Sequence, residues 1–311
     1  MVGKKKYNSI VLLGPTASGK TGLGVHLALS VGGEILSADS RQVYRGLDIG
    51  SGKDLSEYGD IPYHLIDVAS LPDEYSVFSY QKDFYRIFPE VISRGRVPVI
   101  VGGTGMYLDS VIRGYDFADV AENPRLREEL AGLSLSELIA RLLSLKAEIH
   151  NRTDLEERPR LVRAIEIAEH KRSLASSASA FPAGTEGRPD IKPLILGIRF
   201  ERSVLRERIK ARLEARIAEG LIGEVKALHE NGISWERLER LGLEYRATAE
   251  FLQGRIGSQK EWADGLYISI CQFAKRQETW FRGMERKGVE IVWIDGGSRE
   301  IADAIAVPAF A

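Results

Sequence analysis

Cysteine is almost missing: Cys271 is the only one in 311 residues. That excludes a disulfide framework and a cysteine-built zinc site. Net charge is also nearly absent, since 43 lysines and arginines face 44 aspartates and glutamates. A wholesale polycation is excluded, although a local basic patch for nucleic acid is not. No apolar stretch nears the roughly 20 residues that a membrane span needs. Lys4 to Lys6 precede an apolar run, but the run is short and ends in a glycine loop, not at a small-residue cleavage site. Together these absences predict a soluble, cytoplasmic chain with no membrane partner, expected as a monomer. No internal repeat is visible. Hydrophobic residues make up 44%, enough for a sizeable core. The length suits one large domain, or a core domain that carries an insertion.

What is present centres on Gly14-Pro15-Thr16-Ala17-Ser18-Gly19-Lys20-Thr21, a full G-x-x-x-x-G-K-[ST] pattern. A buried-strand run, Ile10 to Leu13, leads in, and helix-compatible residues from Thr21 to Leu29 lead out. Glycines at both ends let the backbone turn several N–H groups onto one anion, and the helix N-terminus adds its dipole. Lys20 supplies a point charge and Thr21 a hydroxyl suited to Mg²⁺. The loop therefore predicts binding of a diphosphate or nucleotide.

Glu34 to Asp39 reads as a second strand ending on a carboxylate, and ligands of open α/β sheets sit beyond the carboxyl ends of strands. Asp39 is either a group facing the phosphate loop or an N-cap for the next turn. Tyr63 to Asp67 reads as a short strand, with His64 a conceivable base. Ser76 to Phe88 reads as a helix. Val97 to Val101 is a third buried-strand run, and it ends in a second glycine loop, Gly102-Gly103-Thr104-Gly105. No strand in this half ends in a clear Walker B acid. Asp67 is the nearest candidate and Asp295 comes very late, which points away from a motor ATPase and toward a kinase-like or group-transfer enzyme.

Residues 122–172 are charged and leucine-rich with helical spacing, and Ser173 to Arg188 reads as a connector. Leu194 to Phe200 then returns to strand. The expected fold class is α/β, a P-loop NTPase-like parallel sheet flanked by helices with a helical insertion. Its predicted parts are a first core segment at 1–115, the insertion at 116–190 and a second core segment at 191–311. Arg158, Arg160 and Arg163 crowd one helix of the insertion; on charge alone they form a solvated face. Within a long helix from Val204 to Ala218, Arg208, Arg212 and Arg216 recur every four residues as one stripe, either a phosphate grip or surface ion pairs. From Trp262 to Arg286 a last long helix carries a seam of Trp262, Leu266, Ile270, Phe273, Gln277, Trp280 and Phe281. Val289 to Ile294 reads as the last strand, and the tail from Ser298 as peripheral.

Several separated strings together resemble one family, the tRNA dimethylallyltransferases, also called tRNA isopentenyltransferases. They are GPTASGKT from Gly14, ADSRQVYRGLDIG from Ala38, HLID from His64, VGGTGMYL from Val101, RLVRAIE from Arg160, GLIGEV from Gly220 and AKRQETWFR from Ala274. The resemblance implies transfer of a dimethylallyl group from dimethylallyl diphosphate to the exocyclic amine of the adenosine beside the tRNA anticodon. Transfer to free AMP, ADP or ATP is the alternative, and a small-molecule kinase a more distant one. The resemblance assigns Asp39 as base, Arg212 and Thr16 as further catalytic residues, and Gly14 to Thr21 as the diphosphate site with Mg²⁺ on Thr21. It also implies tRNA contacts at Asp39, Ser40, Arg41, Gln42, Thr104 and Arg127, and across Pro159, Arg160, Leu161, Val162 and Arg163. Departures from the family pattern stand at Pro159, at Arg216, where methionine is usual, and at Leu243-Glu244, where tyrosine and a basic residue are usual. They are expected to leave the donor site untouched.

Overall fold

The computed structural model describes residues 6–115, 120, 122–145, 157–176 and 188–310. The chain divides into two compact units, Met1–Tyr115 with Pro189–Ala311, and Asp116–Arg188.

In the larger unit, β1 (Ser9–Leu13), β2 (Gly33–Ala38), β3 (Tyr63–His64), β4 (Val97–Gly102), β5 (Pro193–Arg199) and β6 (Val292–Asp295) form one sheet in the order β3-β2-β4-β1-β5-β6. Every pairing is parallel. A parallel sheet is covered on both faces, and its strands therefore read as continuous apolar runs. Val11 and Leu13 point to one face, against Tyr80 and Phe84 of α2 (Val77–Ser93), Leu108 of α3 (Gly105–Arg113) and Leu205 of α7 (Arg202–Glu219). The same core takes in α8 (Leu221–Glu230), α9 (Trp235–Arg240), α10 (Leu243–Leu252) and α11 (Gln259–Arg286). Ile10 and Leu12 point to the other face, against Leu23 and Leu27 of α1 (Lys20–Val31).

Several features differ from the sequence reading. The tail is not peripheral: Arg299–Phe310 forms a helix whose Ala302 and Ala306 are fully buried in the α1 core, so two small side chains let it pack closely. The strand at 63–67 stops at His64, because Leu65 and Asp67 take left-handed φ values of 64° and 55° and leave the ladder. On α11 the buried stripe runs through Ala274, and Phe273 is 37% exposed; counting helical turns along the sequence carries the seam one residue too early.

The smaller unit contains α4 (Pro124–Ala131), α5 (Leu135–Ser144) and α6 (Arg158–Ser176) around a core of Leu126, Leu130, Leu138, Leu142, Leu161 and Ile165. Asn123 caps α4, and Ser134 with Glu137 forms a capping box on α5. α6 runs on through Ser173 to Ser176, into the stretch that reads as a connector; residues 177–187 lie outside the described residues.

Candidate active site

Parallel register brings the chemistry to one edge. Leu13 and Ala38 both pair with Gly102, so β1, β2 and β4 end level. The phosphate loop, the Asp39 turn and the second glycine loop therefore leave the sheet side by side, at its carboxyl edge. Gly19, with φ 80°, turns the phosphate loop into α1. Lys20 lies within it and donates to the Pro15 carbonyl at 2.7 Å. Burial, helped by the Arg212 charge and opposed by Asp39, lowers the Lys20 ammonium to about 7.

The arginine stripe of α7 lies along this loop. Arg208 Nε donates to the Ala17 carbonyl at 2.8 Å, and Arg212 Nη1 to Thr16 Oγ1 at 3.1 Å. The first two arginines of the stripe thus contact the phosphate loop itself and form no surface ion pair among the described residues. Arg216 instead pairs with Asp54 and, on its own helix, with Glu219. Asp39 Oδ1 accepts from the backbone N–H of Arg41 at 2.8 Å and of Gln42 at 3.4 Å, which caps the turn and fixes the carboxylate in one orientation. Thr104 Oγ1 accepts from Ser40 N at 3.0 Å and joins the second glycine loop to that turn. Gly105 lies against the Trp280 ring, where an added Cβ would come within 2.3 Å.

The other expected residues have varied surroundings. Gln42 is 8% exposed, and its amide is committed to Ser37 and to the Gly52 carbonyl. Leu161 is fully buried in the insertion core, so the side chain expected at tRNA is closed to a ligand; its spacing belongs to the core stripe of α6. Arg127 and Arg163 converge on the buried carboxylate of Glu166, and Pro159 and Arg160 are exposed. His64 binds Glu34, about 16 Å of strand from Asp39 at a rise near 3.3 Å per residue, and is no base for this site. Neither Walker B candidate serves the loop: Asp67 holds Lys53 at 2.6 Å, and Asp295 pairs with Arg199 on the edge strand. Glu244 has its carboxyl held above the ordinary range, first by burial and also by Asp39, against Arg212 and Arg41. This departure from the family pattern thus lies within range of the Arg212 and Asp39 charges.

Three anchoring residues escape the sequence reading. Gln277, one position in an otherwise apolar seam, accepts from Thr16 N at 2.8 Å and donates to the Gly103 carbonyl at 2.8 Å, clipping one glycine loop to the other. Glu224 accepts from the backbone N–H groups of Asp48, Ile49 and Gly50 and from the Tyr245 hydroxyl. Lys53, 1% exposed, binds Asp48, Asp67 and the Tyr44 carbonyl. An amide at an otherwise apolar helical position is the one available signal for Gln277.

With this geometry in place, the comparisons with known proteins decide the family. The family model described as IPP transferase matches residues 42–284, and one described as isopentenyl transferase matches 8–59. The chain belongs to the IPP transferase family. It is 55% identical to tRNA dimethylallyltransferase 2 of Treponema denticola over 289 residues, which cover 93% of this chain and 96% of that one. To the tRNA dimethylallyltransferase of Treponema pallidum it is 52% identical, over 94% and 92% of the two chains. Among solved structures, the tRNA isopentenylpyrophosphate transferase of Bacillus halodurans matches with a TM-score of 0.70 at 28% identity over 97% of each chain. A eukaryotic dimethylallyltransferase acting on tRNA matches with a TM-score of 0.74 at 21% identity, over 96% of this chain and 78% of that one, and shares the fold.

Proposed function

We propose that this member of the IPP transferase family transfers a dimethylallyl group from dimethylallyl diphosphate to the exocyclic amine of the adenosine adjacent to the anticodon in tRNA, and releases diphosphate. One observation carries the reading: Arg212 reaches Thr16 inside the phosphate loop while Asp39 leaves the sheet level with that loop. A cationic cradle for a departing diphosphate then adjoins a carboxylate able to take a proton.

In this reading the loop N–H groups, Lys20 and Arg212 stabilise the charge that grows on the diphosphate as the allylic carbon–oxygen bond breaks. The adenine amine forms the new carbon–nitrogen bond, and its proton passes to the Asp39 carboxylate. Holding donor and acceptor together supplies proximity, and excluding water protects the allylic carbon from hydrolysis. The adenosine must leave its stack to enter. Among the described residues no group of three or more His, Cys, Asp or Glu side chains is gathered that could hold a metal. Mg²⁺ would accordingly be held by Thr21 and by the diphosphate's own oxygens, as hard oxygen donors suit it. When bound, it supplies further neutralisation of the leaving group.

The relatives named for action on tRNA support this acceptor over a free adenine nucleotide. So does the exposed arginine at Arg160 on α6, where a phosphate contact would make binding salt-dependent. No helix among the described residues is long and apolar enough to cross a membrane. The deciding experiment is mass spectrometry of tRNA after incubation with the dimethylallyl donor, with AMP as a parallel acceptor. A dimethylallyl adduct on tRNA adenosine is expected; product on AMP alone would transfer the assignment to the alternative.

A further inference from the structure

Arg216 follows Arg212 by one turn of α7, and its side chain is 14% exposed. Its Nη2 lies 2.5 Å from both carboxylate oxygens of Asp54. Asp54 has φ 41°, in the left-handed region that Asp and Asn tolerate. Two residues earlier Gly52, with φ 64°, passes directly beneath the guanidinium of Arg212. A Cβ on Gly52 would stand 1.8 Å from Arg212 Nη2 and 3.5 Å from Arg216 Nη2. The Gly52 carbonyl is held from the other side by Gln42 Nε2 at 3.1 Å. The turn is thus tied at one end to the strand that delivers Asp39 and at the other to the helix that delivers Arg212.

We propose that the Arg216–Asp54 ion pair is a positioning clamp for Arg212. It fixes the Gly52 turn as a floor under the guanidinium and so keeps Nη1 aimed at Thr16 of the phosphate loop. An exposed ion pair would contribute little, but this one is largely enclosed and engages both carboxylate oxygens. A long flexible side chain gains most from such a floor, because immobilising it then costs less when the anion arrives. The sequence departure at Arg216 acquires a physical role: methionine there would leave Asp54 without its partner and the turn without its tie. The clamp rests on the reading of Arg212 as a diphosphate-binding arginine.

The test is a pair of double-mutant cycles built from Asp54→Asn, Arg216→Met and Arg212→Lys. Asparagine tolerates the left-handed backbone, so Asp54→Asn removes the charge and keeps the turn. Binding of inorganic diphosphate with Mg²⁺ is read by calorimetry, and kcat for transfer to tRNA in parallel. Asp54→Asn and Arg216→Met should each weaken diphosphate about tenfold and lower kcat by a similar factor. In the Arg212→Lys background neither should add more than about twofold, because the clamp acts through Arg212. Effects that multiply in full in that background would overturn the clamp. So would Arg216→Met weakening diphosphate while Asp54→Asn does not, which would make Arg216 a direct ligand. Failure of the functional reading looks different: wild-type protein would bind diphosphate with the same coupling yet leave tRNA unmodified.

Discussion

Replacing Gln277 with leucine removes the clip between the two glycine loops at nearly constant volume. Two hydrogen bonds of 2.8 Å disappear. The two partners left behind are not equally exposed. Gly103 is buried, so its carbonyl keeps the full desolvation cost, whereas the N–H of half-exposed Thr16 can turn toward water. Counting about 1–3 kcal/mol for the first and about 0.5–1.5 for the second gives a loss of about 1.5–4.5 kcal/mol. For a large domain, at about 2 °C per kcal/mol, that lowers the melting temperature by roughly 3–9 °C. Thr16 also carries the Arg212 contact, so diphosphate affinity should fall along with stability. Gln277→Glu sharpens the test. It keeps an acceptor for Thr16 but sets a carboxylate against the Gly103 carbonyl, and so should be at least as damaging at neutral pH. It should recover in acid, where the protonated group can donate again. The measurements are thermal unfolding and calorimetric titration with diphosphate. A leucine variant that melts within a degree of wild type and binds diphosphate normally would refute the clip.

Asp39→Asn should lower kcat by about 10²–10⁴ while the donor KM changes little, as steady-state assays would show; near-normal turnover removes Asp39 as the base. Lys20 is displaced downward to about 7, so in the protein alone it is mostly neutral at pH 8. Diphosphate should restore its charge, and titrations at pH 8 in buffers of different ionisation enthalpy should show up to about 0.9 more protons taken up than by Lys20→Met. The same displacement destabilises the free fold, fully below pH 7 and decreasingly as pH rises toward the ordinary lysine value of 10.5. In the insertion, burial pushes Glu166 up, but Arg127, the Asn123 N–H and Arg163 outweigh it, and its carboxyl sits below the ordinary 4.5. That contribution is present above 4.5 and lost as pH falls through the lowered value. Amide protection factors in α4 and α6 should fall in acid, and Glu166→Gln should cost about 2–3 kcal/mol at pH 7 after allowing for the half-exposed arginines.

The strands and the phosphate loop are legible because their rules are local. A buried parallel strand is a continuous apolar run, and an anion loop needs its glycines at fixed offsets. Asp39 is legible as a carboxylate ending a strand, although only the register with β4 brings it level with the loop. Gln277 is legible only as an amide in an apolar seam: its partner Thr16 is 261 residues away, and both of its bonds go to backbone groups, whose identity no side chain records. Glu224 escapes for the same reason, since it binds three N–H groups some 175 residues earlier. The arginine stripe is visible as a stripe, but helical spacing cannot tell that Arg208 and Arg212 serve the phosphate loop while Arg216 serves Asp54. For the tail helix, small side chains at 302 and 306 look like a lack of commitment, when smallness is what allows close packing.

The position of β1 in the sheet has a consequence for biogenesis. The strand that opens the sheet is flanked by β4 on one side and β5 on the other, and just before it Asn8 clasps the backbone of Lys192, 184 residues later. At about 5–20 residues per second of synthesis, the second flank emerges some 10–40 s after the first strand. Throughout that interval the apolar ribbon bearing the phosphate loop has at least one open edge, the kind of surface that holdase chaperones cover and that aggregation exploits. The whole insertion is translated within this window. The phosphate loop is therefore made first and sealed late, and nascent-chain yield should respond to the speed of translation between β4 and β5.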